Sequence, residues 1–300
     1  MKKLFLGPYV GEFGWELFFW TGYCRRLSQL SDGWDEIIAV TRPGREMLYE
    51  DFVTKVIHYS PPEGGLADCE NYSLWNQDDF VNFAQEITGP NDVWFRPFPT
   101  DRGAWFHRSA PVYIPQLDTT GNGSAGFLTP AYLDRNRSVS KDEKIVLLHA
   151  RNRFDIRPED NPPIQMFENL AKALIADGYK VLTIGSNSDS YVDGTEDFRE
   201  NPLPETAKLM DKAICTVGTT SGPLHLATLM GCPVVTWQWD FDKMWYRFSS
   251  GWNPLDSDVV FIKTEGERGL FHSHPSPEQL KWAVEEIQKP NIEKIQVKCW

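Results

Sequence analysis

The sequence has few cysteines, no long apolar run and no excess of positive charge. Its five cysteines among 300 residues include no CxxC pair, which argues against a disulfide framework or a zinc site and favours a reducing cytoplasm. No apolar stretch could span a bilayer, and the first residues lack a signal-peptide core. With 30 Lys and Arg against 42 Asp and Glu, the net charge of −12 argues against general binding to nucleic-acid phosphates.

Several nucleotide-binding and catalytic motifs are also missing. No Gly-x-Gly-x-x-Gly follows the first predicted strand, so a dinucleotide cofactor is not expected. There is no P-loop, zinc pattern or Gly-x-Ser-x-Gly elbow. We therefore expect no bound cofactor, and any nucleotide would be a co-substrate.

Two separate series of alternating strands and helices are present. One begins at Lys3, and the other begins at Lys144 with the apolar strand Ile145–Leu148. Such alternation predicts parallel, doubly wound sheets. We expect an α/β protein with two Rossmann-like lobes and a cleft between them. The predicted domains are an acceptor-side domain at 1–140, a nucleotide-sugar domain at 141–275, and a C-terminal helix and tail at 276–300 that can pack back on the first lobe.

The most informative segment lies between a predicted strand and a predicted helix at residues 217–227. Its glycines and small hydroxyl residues allow backbone N–H groups to approach a ligand. The helix N-terminus would present donors and a positive dipole end to an anion, and Pro223 suits the first turn. Alternatively, this is a structural turn capped by Ser221.

Residues Ser221–Val235 resemble the Gly-Pro-x-His-x-Ala…Gly-x-Pro-Val-Val signature of the heptosyltransferases and their GT-B relatives. The resemblance implies a GT-B glycosyltransferase in which this turn contacts the diphosphate and nucleoside of an activated sugar. Where that family often has an acidic residue, this chain has Thr220, which affects the expected ribose contact. His225 would contact the donor or be a buried residue that fixes the turn. The donor-binding candidates here are Thr219, Thr220, Ser221, Gly222, Pro223 and His225.

Two arginines follow the predicted strand at Ile145–Leu148. Arg151 and Arg153 are two residues apart, so both could reach the same side, and their forked donors match phosphate oxygens. They could instead pair with nearby acidic residues, namely Asp155, Glu159 and Asp160. The segment also resembles the strand-end His-x-Arg of fucosyltransferase-like GT-B enzymes, which implies a contact with the donor diphosphate. His149 would be a core or supporting residue.

A glycine-rich loop follows the first predicted strand. Its position resembles the Gly-Asp loop of heptosyltransferases, whose acidic residue is the catalytic base. The resemblance places Glu12 in that role, with Glu16 as the competing carboxylate, and Gly11 and Gly14 beside the acceptor. A buried carboxylate with a raised pKa can deprotonate a hydroxyl. Glu12 could otherwise be a helix-start residue favoured by the dipole.

Three weaker signals remain. Gly185 and Ser186 follow the predicted strand Lys180–Ile184 and would contact the nucleoside or form a polar loop. The pair Asp240 and Asp242 has Asp-x-Asp spacing, but we expect no metal ion to be required. The middle of the chain has a local excess of arginines, which would suit an anionic glycan, a phosphorylated lipid or hydroxylated DNA bases, or would be solvated. These residues are Arg96, Arg102, Arg108, Arg135 and Arg137.

The sequence thus predicts a metal-independent glycosyltransferase that uses a nucleotide-diphosphate sugar and a hydroxyl acceptor. The acceptor would be a glycan, a lipid or a modified nucleobase, although the net charge of −12 does not support DNA. Two other functions fit the same architecture, a sugar-nucleotide epimerase and a noncatalytic nucleotide-sugar binder.

Overall fold

The chain forms two units, each built around its own parallel sheet. A computed structural model describes residues 2–9, 13–30, 33–60, 77–95, 139, 143–154, 158–238, 253, 257–264, 274–289 and 295–299. The units are Met1–Ala131 and Tyr132–Trp300. No helix within these described ranges has the length and apolar composition needed to cross a bilayer.

The sheet of the first unit has four strands, all parallel, in the order β3-β2-β1-β4. Apolar side chains from alternate positions of β1 and β2 fill one face, since successive residues of a strand point to opposite sides. Gly7 follows β1 with φ +107°, and a Cβ there would lie 2.2 Å from the carbonyl oxygen of Val40. The strands are β1 (Lys3–Leu6), β2 (Glu36–Thr41), β3 (Lys55–His58) and β4 (Val93–Phe95).

Residues 13–30 of the first unit are helical, with one irregular turn. A short turn at Phe13–Trp15 leads into a π-helical turn at Glu16–Trp20 and then into α1 (Thr21–Leu30). A second helix, α2 (Gln77–Ile87), precedes β4. π-Turns place an extra residue in the helix and often occur near functional sites. Here the turn begins at the buried residue Glu16.

The second unit has seven parallel strands in the order β11-β10-β9-β8-β5-β6-β7. The chain enters at β5, extends the sheet in one direction through β6 and β7, and then returns to place β8 on the other side of β5. The strands are β5 (Ile145–His149), β6 (Lys180–Thr183), β7 (Glu196–Asp197), β8 (Cys215–Gly218), β9 (Val234–Gln238), β10 (Val259–Lys263) and β11 (Ile295–Cys299).

Helices of the second unit follow the apolar pattern of its central strands. β5 is buried at every position, as expected for a strand covered on both faces. Val146 and Leu148 share a core with Phe167 of α3 and Leu280 of α6. The helices are α3 (Ile164–Ala176), α4 (Leu203–Lys212), α5 (Gly222–Leu229) and α6 (Pro277–Glu286).

The C-terminal segment belongs to the second unit. Leu280, Ala283 and Val284 of α6 pack into that unit's core, and β11 pairs in parallel with β10. The described residues of this segment thus contribute to the second unit, and the expected packing of residues 276–300 on the first lobe stays a prediction. α6 buries its apolar side chains beside α3, and β11 satisfies its backbone groups by extending the sheet.

Candidate functional site

The order of strands in the second unit creates a crevice between β5 and β8. The chain connections from these adjacent parallel strands lead to opposite sides, since β5 is followed by β6 and β8 by β9. Ligands of doubly wound sheets bind at such a switch point, at the carboxyl ends of the strands. Two segments predicted to bind the donor, residues 149–153 and 219–225, begin at this edge.

The turn from β8 into α5 brings backbone and hydroxyl groups close to the end of β5. A Cβ on Gly218 would lie 2.9 Å from the carbonyl oxygen of His149, so the two strand ends approach at a distance that favours glycine. Thr219 is only 7% exposed, and its buried hydroxyl has no hydrogen-bond partner among the described residues. Thr220 is half-buried. The turn therefore contains a buried polar atom that a ligand could satisfy.

Ser221 occupies the N-cap of α5 without capping it. Its hydroxyl makes no hydrogen bond to a first-turn amide, whereas N-cap serines ordinarily do. Gly222 and Pro223 form the first positions of the helix and are half-buried. His225 is buried, and its amide donates to the carbonyl of Ser221 at 3.0 Å. The predicted capping by Ser221 is absent, because its hydroxyl contacts a histidine instead.

That histidine is His149, the last residue of β5. Its Nδ1 lies 2.9 Å from the hydroxyl oxygen of Ser221, and its Nε2 lies 3.3 Å from Oδ2 of Asp189. The ring is 2% exposed. His149 thus connects the loops that follow three neighbouring strands, β6, β5 and β8.

The loop after β6 folds around the Asp189 carboxylate. The amide and hydroxyl of Ser186 donate to Oδ2 at 2.8 and 3.0 Å, and the amide of Asn152 donates to Oδ1 at 3.4 Å. Gly185 has φ +135°, and a Cβ there would lie 2.6 Å from Oδ2. In the described loop, Gly185 and Ser186 therefore shape the surroundings of Asp189, and their contact with a nucleoside stays a prediction.

Asp189 is a strongly stabilised carboxylate. Burial by itself would raise the pKa of its carboxyl group. The electrostatic interaction with His149 and the hydrogen bonds from His149 and Ser186 outweigh burial and hold that pKa well below its usual range. A carboxylate that accepts several hydrogen bonds commonly has a low pKa. Asp189 is therefore ionised across the physiological pH range.

The two arginines after β5 are organised by Asn161. The Arg151 guanidinium donates to the side-chain oxygen of Asn161, and the Arg153 amide donates to the same oxygen at 3.0 Å. The Asn161 amide in turn donates to the Arg153 carbonyl at 2.7 Å. Arg151 is 9% exposed, so its charge sits at the buried end of β5. Asp155 and the side chain of Glu159 lie outside the described part of the chain, so their pairing with the arginines stays untested.

Trp237 of β9 is a core residue of the second unit. It is 1% exposed and packs against Phe167. Its indole N–H donates to Nδ1 of His274 at 3.2 Å. Burial lowers the pKa of His274, an effect that the charge of Asp160 opposes.

In the first unit, the competing carboxylate Glu16 is enclosed in a network. It is fully buried and accepts hydrogen bonds from Thr41 at 3.2 Å and Tyr49 at 2.5 Å, and its other oxygen pairs with Arg45. Burial and the neighbouring Glu16 charge raise the pKa of Tyr49 well above its usual value. Each of these donors belongs to β2 or the segment after it. This geometry suits an anchor for the helical segment at residue 16.

The other acceptor-side residues are only partly described. Gly14 is half-buried within the helical turn Phe13–Trp15. Gly11 and Glu12 lie outside the described residues, as do Asp240 and Asp242, so the catalytic role of Glu12 stays a prediction. No group of three or more His, Cys, Asp or Glu side chains in the described part of the chain is arranged to hold a metal ion.

Sequence reasoning missed two residues that organise the site. Asn161 stands between Asp160 and two prolines, a pattern typical of a loop before a helix, where an amide side chain often bonds to backbone. Asp189 was only one residue of a polar loop. The signal that could have identified it is a glycine at a strand end followed four residues later by a carboxylate, but short patterns of that kind are common.

Solved glycosyltransferase structures resemble the whole chain. The crystal structure of the glycosyl transferase family 9 from Veillonella parvula DSM 2008 has a TM-score of 0.60 at 14% identity, covering 95% of this chain and 96% of that one. The structure of E. coli ADP-heptose LPS heptosyltransferase II has a TM-score of 0.56 at 16% identity, covering 96% of this chain and 98% of that one. The structure of E. coli heptosyltransferase WaaC with ADP has a TM-score of 0.54 at 14% identity, covering 96% of this chain and 100% of that one.

No protein-family model matches the chain, and no curated protein does. The structural likeness confirms the predicted α/β fold of GT-B type and the predicted resemblance to heptosyltransferase structures. At these identities the likeness shows the fold alone.

Proposed function

We propose that the chain is a glycosyltransferase that moves a sugar from a nucleotide-diphosphate sugar to a hydroxyl acceptor. The observation that carries the proposal is the edge between β5 and β8, where Arg151 and the N-terminus of α5 follow adjacent strands. One similar structure is a heptosyltransferase with ADP, a nucleotide diphosphate. This supports the same class of ligand for this chain.

The first step of the proposal is recognition of the diphosphate. The amides in the first turn of α5 have no intrahelical acceptor, and Ser221 does not cap them. They can therefore donate to phosphate oxygens, with the helix dipole adding to the attraction. Arg151 adds a charged donor, and the buried Thr219 hydroxyl supplies one more polar atom.

The second step is transfer. The acceptor oxygen attacks the anomeric carbon, the bond from that carbon to the phosphate oxygen breaks, and the diphosphate leaves with the electron pair. Glu12 takes the acceptor proton in this proposal. Because donors fixed before the reaction stabilise the charge that develops on the diphosphate, we expect transfer without a divalent ion.

Incubation with ADP-, GDP- and UDP-sugars tests the proposal. Transfer also requires a hydroxyl acceptor, so glycan and lipid acceptors are added. Release of nucleotide diphosphate and formation of a new glycoside are then measured. A changed sugar without release would indicate an epimerase, and binding without either product a noncatalytic binder. If none of the sugar nucleotides binds, the proposal is wrong.

A charge-removing variant locates the site. Arg151→Gln should weaken nucleotide-diphosphate binding by about tenfold or more, since charge-assisted hydrogen bonds contribute about 1.5–3 kcal/mol. Lys212→Gln is the matched control. It removes an exposed cation from the last turn of α4, before β8 and hence at the opposite edge of the sheet. Equal affinities for the two variants would contradict the assignment of Arg151.

A further inference from the structure

Asp189, His149 and Ser221 form a chain of contacts that ends at the N-terminus of α5. The two contacts of the His149 ring measure 3.3 Å to Asp189 and 2.9 Å to Ser221. Asp189 and the ring are both buried, whereas Ser221 is half-buried. This series of contacts therefore connects the interior of the second unit to the surface where the diphosphate is proposed to bind.

The ionised Asp189 determines which nitrogen of His149 carries the proton. A carboxylate can only accept, so Nε2 of His149 must be the donor toward it. In a neutral ring, Nδ1 is then an acceptor, and the Ser221 hydroxyl donates to it. The Ser221 oxygen is left with lone pairs only, which repel a phosphate oxygen.

A protonated His149 reverses the direction of the second hydrogen bond. Nδ1 now carries a proton and donates to the Ser221 oxygen. The Ser221 hydroxyl can then turn and donate to a ligand. A phosphate oxygen at the N-terminus of α5 would gain this hydrogen bond and a nearby positive charge.

We propose that binding of a nucleotide diphosphate at the N-terminus of α5 is coupled to protonation of His149, with Ser221 as the hydrogen-bond donor to the phosphate. The inference rests on the proposed function, because it concerns the same ligand and the same turn. Ser221 would touch the ligand, and His149 is a positioning residue that acts through it. As charge develops on the departing diphosphate, this hydrogen bond becomes stronger.

A second observation points to a ligand in the same turn. The hydroxyl of Thr219, two residues before Ser221, is buried and has no hydrogen-bond partner among the described residues. Leaving a buried hydroxyl unsatisfied costs free energy. A phosphate oxygen that accepts from Ser221 would bind to the same short turn that contains this unsatisfied hydroxyl.

Charged groups of both signs surround the ring of His149, so a bound anion would favour its protonation. Asp189 is in direct contact with the ring, and the guanidinium of Arg199 donates to the Asp189 carbonyl at 2.8 Å. Arg151 follows His149 on the same strand end, and His225 lies in the first turns of α5. A bound diphosphate adds negative charge to this group of side chains, which stabilises the imidazolium.

Titration calorimetry with ADP, GDP and UDP measures the coupling. Repeating each titration in buffers of different ionisation enthalpy gives the number of protons taken up on binding, between pH 5.5 and 8.5. The terminal phosphate of the nucleotide itself titrates at about pH 6. The readout is therefore the difference in proton uptake between the wild type and His149→Gln. His58→Gln is the matched control, since it removes a half-exposed histidine of the first unit.

At its maximum, the proton uptake of the wild type should exceed that of His149→Gln by about half a proton or more. We expect the same excess for the control, His58→Gln. The affinity of the wild type should fall about tenfold more than that of His149→Gln between pH 6 and pH 8. Ser221→Ala keeps His149 but should also lose this additional pH dependence of the affinity. A structural role for His149 would instead lower the affinity equally at every pH.

Two results would overturn the inference, and they are distinguishable. Binding with a proton uptake in the wild type equal to that of His149→Gln or of Ser221→Ala would refute the proposed coupling through Ser221 and leave the proposed function intact. Absence of binding by all three nucleotides would refute both the coupling and the proposed function. If His149→Gln fails to fold, Asp189→Asn provides the second test, with its proton uptake compared with that of the wild type. Without the Asp189 carboxylate, Nε2 of His149 need not carry the proton.

Discussion

Two buried carboxylates, Glu16 in the first unit and Asp189 in the second, occupy similar places and have different surroundings. Each contacts the last residue of a parallel strand, Thr41 of β2 for Glu16 and His149 of β5 for Asp189. Glu16 is surrounded by donors from one short segment, Arg45 and Tyr49 among them. Asp189 reaches through His149 to Ser221 at a helix N-terminus.

The difference shows how the same residue type can support the fold or a site. A carboxylate whose donors all come from one segment holds that segment in place. A carboxylate that orients a histidine toward a half-buried hydroxyl can also influence a ligand. We therefore expect Glu16 to contribute to the stability of the first unit, and we propose that Asp189 contributes to both stability and ligand binding in the second.

The largest effect is expected for Glu16→Gln, which keeps the side-chain shape and removes its charge. Removal of the Glu16 charge breaks its buried ion pair with Arg45, so the free energy of unfolding should fall by about 3 kcal/mol. Urea denaturation measures this change. Glu46→Gln, next to Arg45 in the segment after β2 and partly exposed, should cost less than about 1 kcal/mol. Similar losses in the two variants would remove the contrast between a buried and an exposed carboxylate.

Asp189→Asn should have a smaller effect that depends on pH. Hydrogen bonds to a charged group contribute about 1.5–3 kcal/mol, and we expect a loss of about 2 kcal/mol at neutral pH. Since the pKa of Asp189 is lowered by folding, its contribution is present above the unfolded-state pKa of about 4 and is lost as pH falls toward the folded-state value. Denaturation from pH 3 to pH 8 tests this.

The control for Asp189→Asn is Asp177→Asn, which removes a partly exposed ion pair with Lys281. Its effect should stay within about 1 kcal/mol. A difference between the wild type and Asp189→Asn that is unchanged down to pH 3 would mean that the carboxylate is not specially stabilised by folding.

Gly185→Ala should have the smallest effect on stability, about 1–2 kcal/mol from backbone strain at φ +135°. The added Cβ would also displace Asp189 and so weaken nucleotide-diphosphate binding. Gly178→Ala is the matched control, since that glycine has φ +80° but nothing within 4 Å of the added atom. It should lose stability without losing affinity. Unchanged affinity in Gly185→Ala, measured by calorimetry, would separate Asp189 from the ligand site.

Much of the second unit could be predicted because its signals are local. The apolar strand at Ile145, the strand at Lys180 and the turn around Ser221 each follow from composition and periodicity, and the structure has all three. β11 was missed because it lies at an edge of the sheet, where its position depends on pairing with β10. No pattern within residues 295–299 specifies that partner.

The site was predictable only in part, for a physical reason. Arg151 and Ser221 belong to recognisable segments, but the contact between Ser221 and His149 joins residues 72 positions apart. The contact between His149 and Asp189 is likewise long-range. Such pairings arise when parallel strands bring their carboxyl ends together. Sequence patterns give the candidates, whereas the strand order determines which of them meet.

The most direct test of the central claim is a crystal structure of the protein with a bound nucleotide diphosphate. We predict that the phosphates lie at the N-terminus of α5, within hydrogen-bond distance of Ser221 and the first-turn amides and beside Arg151. A well-ordered nucleotide bound elsewhere, with this turn unchanged and unoccupied, would contradict the account.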